Sequence, residues 1–272
     1  MILVTRPGEP GQRLAAQLAA AGRAALWWPA FDLLPPADPQ AVQAAVASLA
    51  QHDLVVFVSP MAVRAFAAAL DGAAWPDGAR VAAVGGATLQ AARAALRLGA
   101  AVRTCGPEST DAAEGGAEAL WELLERLSPP PRHVLMVRAQ AGRELLAERL
   151  RAAGAVVTEL EAYRRTAHEP GAGDWAALRA ALAAPADASP LVVLFSSTEA
   201  VGAVTRRLDE GPGTVRAAGA IALCVHERIA QAARAAGWQD VRRCEPDADS
   251  VLTALAARGP ATAPALPRGV AG

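Results

Sequence analysis

The chain repeats itself, and the repeat limits its possible folds more than any other feature. LVVFVSPMAV at 54–63 returns as LVVLFSSTEAV at 191–201. Downstream the likeness continues: VAAVGGATLQAAR (81–93) matches ALCVHERIAQAAR (222–234), and VRTCGP (102–107) matches VRRCEP (241–246). A second pair lies upstream, LVTRPGEPGQRLAAQLAAAG (3–22) and LMVRAQAGRELLAERLRAAG (135–154), which align without a gap. With the upstream kind of segment written X and the downstream kind Y, the order is X–Y–X′–Y′. An Ala-rich chain produces some chance likeness, but the same order at nearly constant offset marks a duplication.

Each X reads as an apolar run, a helix and a second extended run. In the first X the helix covers about Gln12–Ala21 and ends at Gly22 as a C-terminal cap. ALWWPAFDLL (25–34) then reads as one strand. Each Y holds three short apolar runs, each followed by a helical pattern. Val- and Leu-rich runs bounded by Gly, Pro and Ser fit parallel strands covered on both faces. X plus Y therefore predicts strands alternating with helices, and the whole chain an α/β protein of two flavodoxin-like doubly wound domains. Pro-rich stretches mark the joints, LLPPADP (33–39) and RRTAHEPGAG (164–173). If the chain crosses between domains there, one domain comprises 1–34 with 170–258 and the other 40–163. Two consecutive domains linked near LSPPPRH (127–133) fit the repeat as well. The Ala-, Pro- and Gly-rich tail, 259–272, is expected to be disordered.

Composition removes several kinds of chemistry. All 26 basic residues are arginine, so Schiff-base chemistry and a Walker-type phosphate loop have no lysine to use. A formal net charge of −1 gives no global field to attract nucleic acid or a membrane. Cys105, Cys224 and Cys244 have neither disulfide nor zinc spacing. The opening MILVTRPGEP lacks a signal pattern and no apolar run is long enough for a bilayer, so the expectation is a cytoplasmic protein. G-x-S-x-G, H-E-x-x-H and an opening G-x-G-x-x-G loop are missing.

In open parallel sheets ligands bind beyond the carboxyl ends of the strands. Those ends carry Arg6, Ser59-Pro60, Gly85-Gly86, Arg138, Ser196-Ser197 and His226, with Thr88 close behind. Two such domains facing one another would form a cleft of small residues and helix starts, which favour anions. For each of Ser59, Ser197 and Thr88 taken singly, an ordinary N-cap is the preferred reading. His52, His133, His168 and His226 have no metal-ligand spacing, and His226 is read as a solvated residue. Tyr163 is the single tyrosine. Its counterpart in the first X is Phe31, so packing explains the ring but leaves the hydroxyl, a potential proton donor, unexplained.

These elements resemble the uroporphyrinogen-III synthase family. The matching stretches are the opening strand with TRP, FVSPMAV, VAAVGGAT, TCGPEST, VRAQAGRELLAERLRAAGAVVTELEAYRR, FSSTEAV and HERIAQAARAAG, in the family's order over residues 1 to about 257. The resemblance implies two flavodoxin-like domains joined by a two-stranded linker, the first built from both chain ends. It implies a cofactor-free and metal-free lyase that closes hydroxymethylbilane, a linear tetrapyrrole with many carboxylates, while inverting the last ring and expelling water. On this resemblance Tyr163 assists departure of the hydroxyl. Substrate carboxylates would be held at the helix starts after Ser59, Gly85 and Ser196, with Arg6, Arg138 and Arg143 (beside Gly142 in the G-R-E helix) adding bidentate contacts. Where many members carry a Gly-Pro-Thr-Thr-like turn this chain has Val-His-Glu-Arg, so His226 and Arg228 stand in its place. A monomer acting on a small molecule is expected, in haem-type tetrapyrrole biosynthesis. The alternative is a two-lobed binding protein for an anionic small molecule; a receiver-like regulator fits poorly, because the strand ends lack an acceptor aspartate.

Overall fold

Pro29 interrupts the stretch read as a single strand, and the interruption separates two domains. A proline cannot donate to a ladder. In the computed structural model, which describes residues 1–107, 116–140, 144–183, 190–211 and 220–256, 25–34 forms two strands in different sheets. β2 (Ala25–Trp27) lies beside β1 (Ile2–Val4) in one sheet, and β3 (Phe31–Leu34) belongs to the other. The expected single strand is thus corrected. Between its halves, Arg207 donates to the carbonyls of Pro29 (3.1 Å) and Ala30 (3.0 Å) and lies over the Trp28 ring.

The chain divides into Met1–Ala30 with His168 onward, and Phe31–Ala167. The crossings therefore fall at 30/31 and 167/168, not within LLPPADP. That segment lies inside the second unit, where Asp38 caps helix α2 (Pro39–Ala47) by accepting the N–H groups of Gln40 and Ala41. The boundaries sit here because β3 pairs antiparallel with the end of β8 (Val156–Ala167), Phe31 opposite Ala167 and Leu34 opposite Arg164. At the step before, the His168 N–H donates to the Ala30 carbonyl.

The first unit has a five-stranded parallel sheet in the order β2-β1-β9-β10-β11, with β9 at Val192–Phe195, β10 at Ile221–Cys224 and β11 at Asp240–Arg243. The second unit's sheet runs β3-β8-β7-β4-β5-β6, with β4 at Leu54–Phe57, β5 at Arg80–Ala83, β6 at Thr104–Cys105 and β7 at His133–Ala139. Without β3 the two sheets have one arrangement: the two X strands, then the three Y strands. Only the order in which the chain supplies them differs.

The strand residues alternate between two cores because both faces of the second sheet are covered. Val55, Phe57, Val81, Leu135 and Val137 pack with α2, α3 (Pro60–Leu70) and α4 (Gly86–Ala95). Leu54, Val56, Ala82, Val134 and Met136 pack with α5 (Ala117–Leu124) and α6 (Leu145–Ala152). In the first unit, α1 (Glu9–Ala20) and α10 (Ala248–Ala256) cover one face through Leu14, Leu18 and Val251. The duplication extends to the caps. Gly22 (φ 77°) and Gly154 (φ 90°) turn the ends of α1 and α6, where Arg23 N–H reaches the Leu18 carbonyl and Ala155 N–H the Leu150 carbonyl, both at 3.0 Å. This is the six-to-one Schellman bond, which favours glycine at the left-handed position.

Asp53 ties the starts of β4 and β7 together, its carboxylate accepting the N–H groups of Arg132 (2.7 Å) and His133 (2.8 Å). Partial burial pushes its pKa up, but these two donors, with His133 and Arg80 nearby, bring it below the ordinary 3.8. A folded-state pKa below the unfolded one gives stability that is present above the ordinary value and lost as pH falls through the folded one. Replacing Asp53 with asparagine is therefore expected to lower the melting temperature at pH 7, with the gap to wild type closing by about pH 2. Melting curves at both pH values check it; a constant gap refutes the assignment.

Candidate active site

The two copies of the strand-to-helix turn fold in the same way. Ser59 caps α3 and Ser197 caps α8 (Thr198–Glu210), each hydroxyl accepting the N–H three residues on, Ala62 or Ala200, at 3.1 Å. Gly85 caps α4 through its backbone alone, with Gly86 opening the helix. The turn at α9 (Glu227–Ala235) is capped by His226, whose Nδ1 accepts the Arg228 N–H at 3.1 Å. Accepting this bond requires an unprotonated Nδ1.

Tyr163 reaches the turn at Ser59. β7 and β8 run in parallel register from His133 opposite Val156 to Arg138 opposite Glu161, but Ala139 then faces Tyr163, leaving Ala162 as an extra residue. Regular alternation would place Ala162 and Tyr163 on opposite faces. The bulge puts both into the core that holds Leu160 and α3, and Tyr163 is only 8% exposed. Its hydroxyl ends 3.1 Å from Ser59 Oγ. Ser59 already spends one lone pair on the Ala62 N–H. Whichever hydroxyl donates to the other, one O–H of the pair stays free for a further acceptor.

Several expectations need correction. Thr88 is not a cap: it is buried in the first turn of α4, behind the cap Gly85. His226 is buried, not solvated, because its ring folds back on the helix it caps; Arg228, in the first turn of that helix, is exposed. The anion-binding start expected after Ser196 belongs to Ser197. Arg138 pairs through one Nη with Glu159, whose second oxygen takes Arg151 at 2.7 Å. Arg6 lends its backbone carbonyl to the Trp27 indole N–H at 2.9 Å. Pro60 occupies the first position of α3, where its missing N–H costs nothing. Gly142 and Arg143 lie outside the described residues, as does the tail 259–272.

The sequence reading passed over Glu159 and Gln140, whose partners are set by sheet register. It also passed over the closeness of Cys224 and Cys244, whose strands are neighbours: the Cys244 N–H donates to the Cys224 carbonyl, and burial pushes both thiols up to about 12. Among the described residues no cluster of His, Cys, Asp or Glu is placed to hold a metal ion, and no helix is long and apolar enough to cross a membrane.

Two sheet-and-helix domains of matching strand arrangement, one carrying a tyrosine set against a capping serine, define a duplicated two-domain α/β protein. The family model for uroporphyrinogen-III synthase HemD matches residues 12–253. The chain is 32% identical to uroporphyrinogen-III synthase of Salmonella typhimurium over 265 residues, covering 93% of this chain and 99% of that one. It is 29% identical to the Escherichia coli enzyme of the same name, covering 93% and 99%. A solved structure of a mutant uroporphyrinogen III synthase from Thermus thermophilus superposes with a TM-score of 0.54 at 18% identity, covering 88% of this chain and 90% of that one, a likeness of fold. The chain belongs to the uroporphyrinogen-III synthase family.

Proposed function

We propose that this protein cyclises hydroxymethylbilane to uroporphyrinogen III with inversion of the terminal ring, and that Tyr163 is the catalytic residue. The observation that carries the proposal is the Tyr163–Ser59 hydroxyl pair at the start of α3. The breaking bond joins the terminal methylene carbon to its hydroxyl oxygen. Tyr163 gives its proton to that oxygen, which leaves as water, and the electron-rich pyrrole takes up the positive charge. The substituted α-carbon of the last ring attacks that methylene carbon to give a spiro intermediate. The bond from this α-carbon to its original bridge then breaks, the freed bridge carbon bonds the ring's other α-carbon, and the proton lost there restores Tyr163. Hydroxide loss from such a pyrrole is easy unaided, so the protein contributes chiefly by holding the bilane in one folded form.

Substrate carboxylates suit the starts of α3 and α4. Neither helix carries an acidic residue in its first turn, and α4 has no side chain bonded to its first N–H groups. The starts of α8 and α9 carry Glu199 and Glu227, which oppose an anion. This favours Ser59, Pro60, Gly85, Gly86 and Thr88 over Ser196, Ser197, His226 and Arg228 as the carboxylate-holding set. The first sheet has the flavodoxin-like order 2-1-3-4-5, and the second has the same spatial arrangement with its X′ strands supplied last, which supports the doubly wound reading.

The test is an isomer assay: hydroxymethylbilane generated in situ, purified protein added, and the oxidised porphyrins separated. Predominant type III porphyrin is the expected result. Type I alone from folded protein overturns the proposal and leaves binding of an anionic small molecule in its place.

A further inference from the structure

Just past the bulge, the β7 ladder along β8 ends at Ala139 opposite Tyr163 among the described residues. There the Gln140 side chain takes over. Its Nε2–H donates to the Arg165 carbonyl at 2.6 Å, and its Oε1 accepts the Arg165 N–H at 2.9 Å. A primary amide presents a donor and an acceptor side by side, as an extended peptide does. Gln140 therefore extends the sheet by one residue pair, with a side chain in place of backbone. On the other edge of β8, Arg165 sits opposite Leu33 of β3.

We propose that Gln140 is the positioning residue for Tyr163. The bulge that turns Tyr163 toward Ser59 adds a residue to β8, and the backbone around a bulge has one unpaired residue that can slip back into regular register. Regular register would put Tyr163 on the opposite face, away from α3. Register before the bulge is held by the β7 ladder through Arg138 and Glu161. Register after it is held on that side by Ala139 opposite Tyr163 and then by the Gln140 pair at Arg165, two residues further on. Fixing both flanks fixes the hydroxyl against Ser59 Oγ. Neither Glu nor Ala supplies the same pair: a carboxylate accepts the N–H but repels the carbonyl, and alanine reaches neither.

The inference rests on the catalytic reading of Tyr163, and two readouts keep the two apart. Because Tyr163 is the single tyrosine, protein made with tyrosine carbon-labelled at Cζ gives one phenol resonance. Gln140→Ala is expected to move or double that resonance. Gln140→Glu is expected to do the same at pH 7 and to return toward wild type as the carboxyl protonates and regains a donor. In turnover, Gln140→Ala is expected to lower kcat about 5- to 30-fold, on the scale of two lost hydrogen bonds, with KM changed less than about twofold. In a Tyr163→Phe background the same change should cost less than about twofold, because both act through one hydroxyl. A resonance unmoved in folded Gln140→Ala, or full additivity with Tyr163→Phe, overturns the positioning role. A wild-type protein that makes no type III isomer overturns the catalytic reading instead, and the resonance then decides alone whether Gln140 sets the phenol.

Discussion

Tyr163→Phe is expected to lower turnover about 10- to 1000-fold, the scale of a general-acid contribution, while the protein stays folded. The ring is anchored in the core with Leu160 and Ala162, and phenylalanine fills the same space. What goes is one hydroxyl and its bond to Ser59 Oγ. A bond of this kind contributes about 1 kcal/mol to stability, too little to unfold a domain with this much buried surface. The slowed variant should also release more type I product, because uncyclised bilane that leaves the enzyme closes unaided. Single-turnover rates and isomer ratios for wild type and variant measure both effects. Ser59→Ala is a less clean experiment, since it also removes the α3 cap, worth about 0.5–2 kcal/mol. Wild-type turnover from folded Tyr163→Phe would remove the tyrosine from the chemistry.

Gly11→Ala is expected to be the most damaging small substitution in the first domain. A Cβ at Gly11 would lie 1.9 Å from the Arg6 carbonyl oxygen and 2.8 Å from Trp27 Nε1, the two groups that are hydrogen-bonded to each other. The nearer atom is backbone, so it cannot swing aside like the end of a side chain. Either α1 lifts from the sheet or the Arg6 peptide turns and gives up the indole. Overpacking of this kind costs about 1–3 kcal/mol, and a backbone contact this close puts it at the upper end. Gly202→Ala, in the exposed face of α8 with open space around its Cβ, is the matched control. There the same change should be neutral or stabilising by up to about 1 kcal/mol. Chemical denaturation of both variants separates the contact from the change in helix propensity. Equal stabilities would show that the strand-to-helix turn after β1 is softer than this packing requires.

Ser59 and Ser197 are legible as caps because capping depends on residues three apart, and the repeat states the motif twice. The matching strand arrangement of the two sheets is legible for the same reason. Pro29 also signals its break, and reading 25–34 as one strand gave its β-rich composition more weight than the missing N–H. Other features are not local. The bulge at Ala162 exists only in relation to β7, and nothing in ELEAYRR marks the extra residue. Glu159 reaches Arg138 across 21 positions because sheet register brings them together. A histidine at a strand end gives no sign of whether its ring turns out to solvent or back to the N–H two residues on, as His226 does.

The exchange of strand order between the two sheets has a consequence for how the protein is made. Phe31–Ala167 is one uninterrupted piece of chain, so each of its strands emerges from the ribosome within reach of its partners. Met1–Ala30 emerges first, yet β1 must wait for β9: the Thr5 hydroxyl donates to the Leu194 carbonyl, 189 residues later. Closing so long a loop in an otherwise open chain is slow, and domains tend to fold as they are completed during synthesis. Once Phe31–Ala167 has folded, its ends are adjacent strands, β3 beside the end of β8. The waiting amino-terminal strands are then delivered to the same place as the chain that follows, and the longest search in the folding reaction becomes a short one.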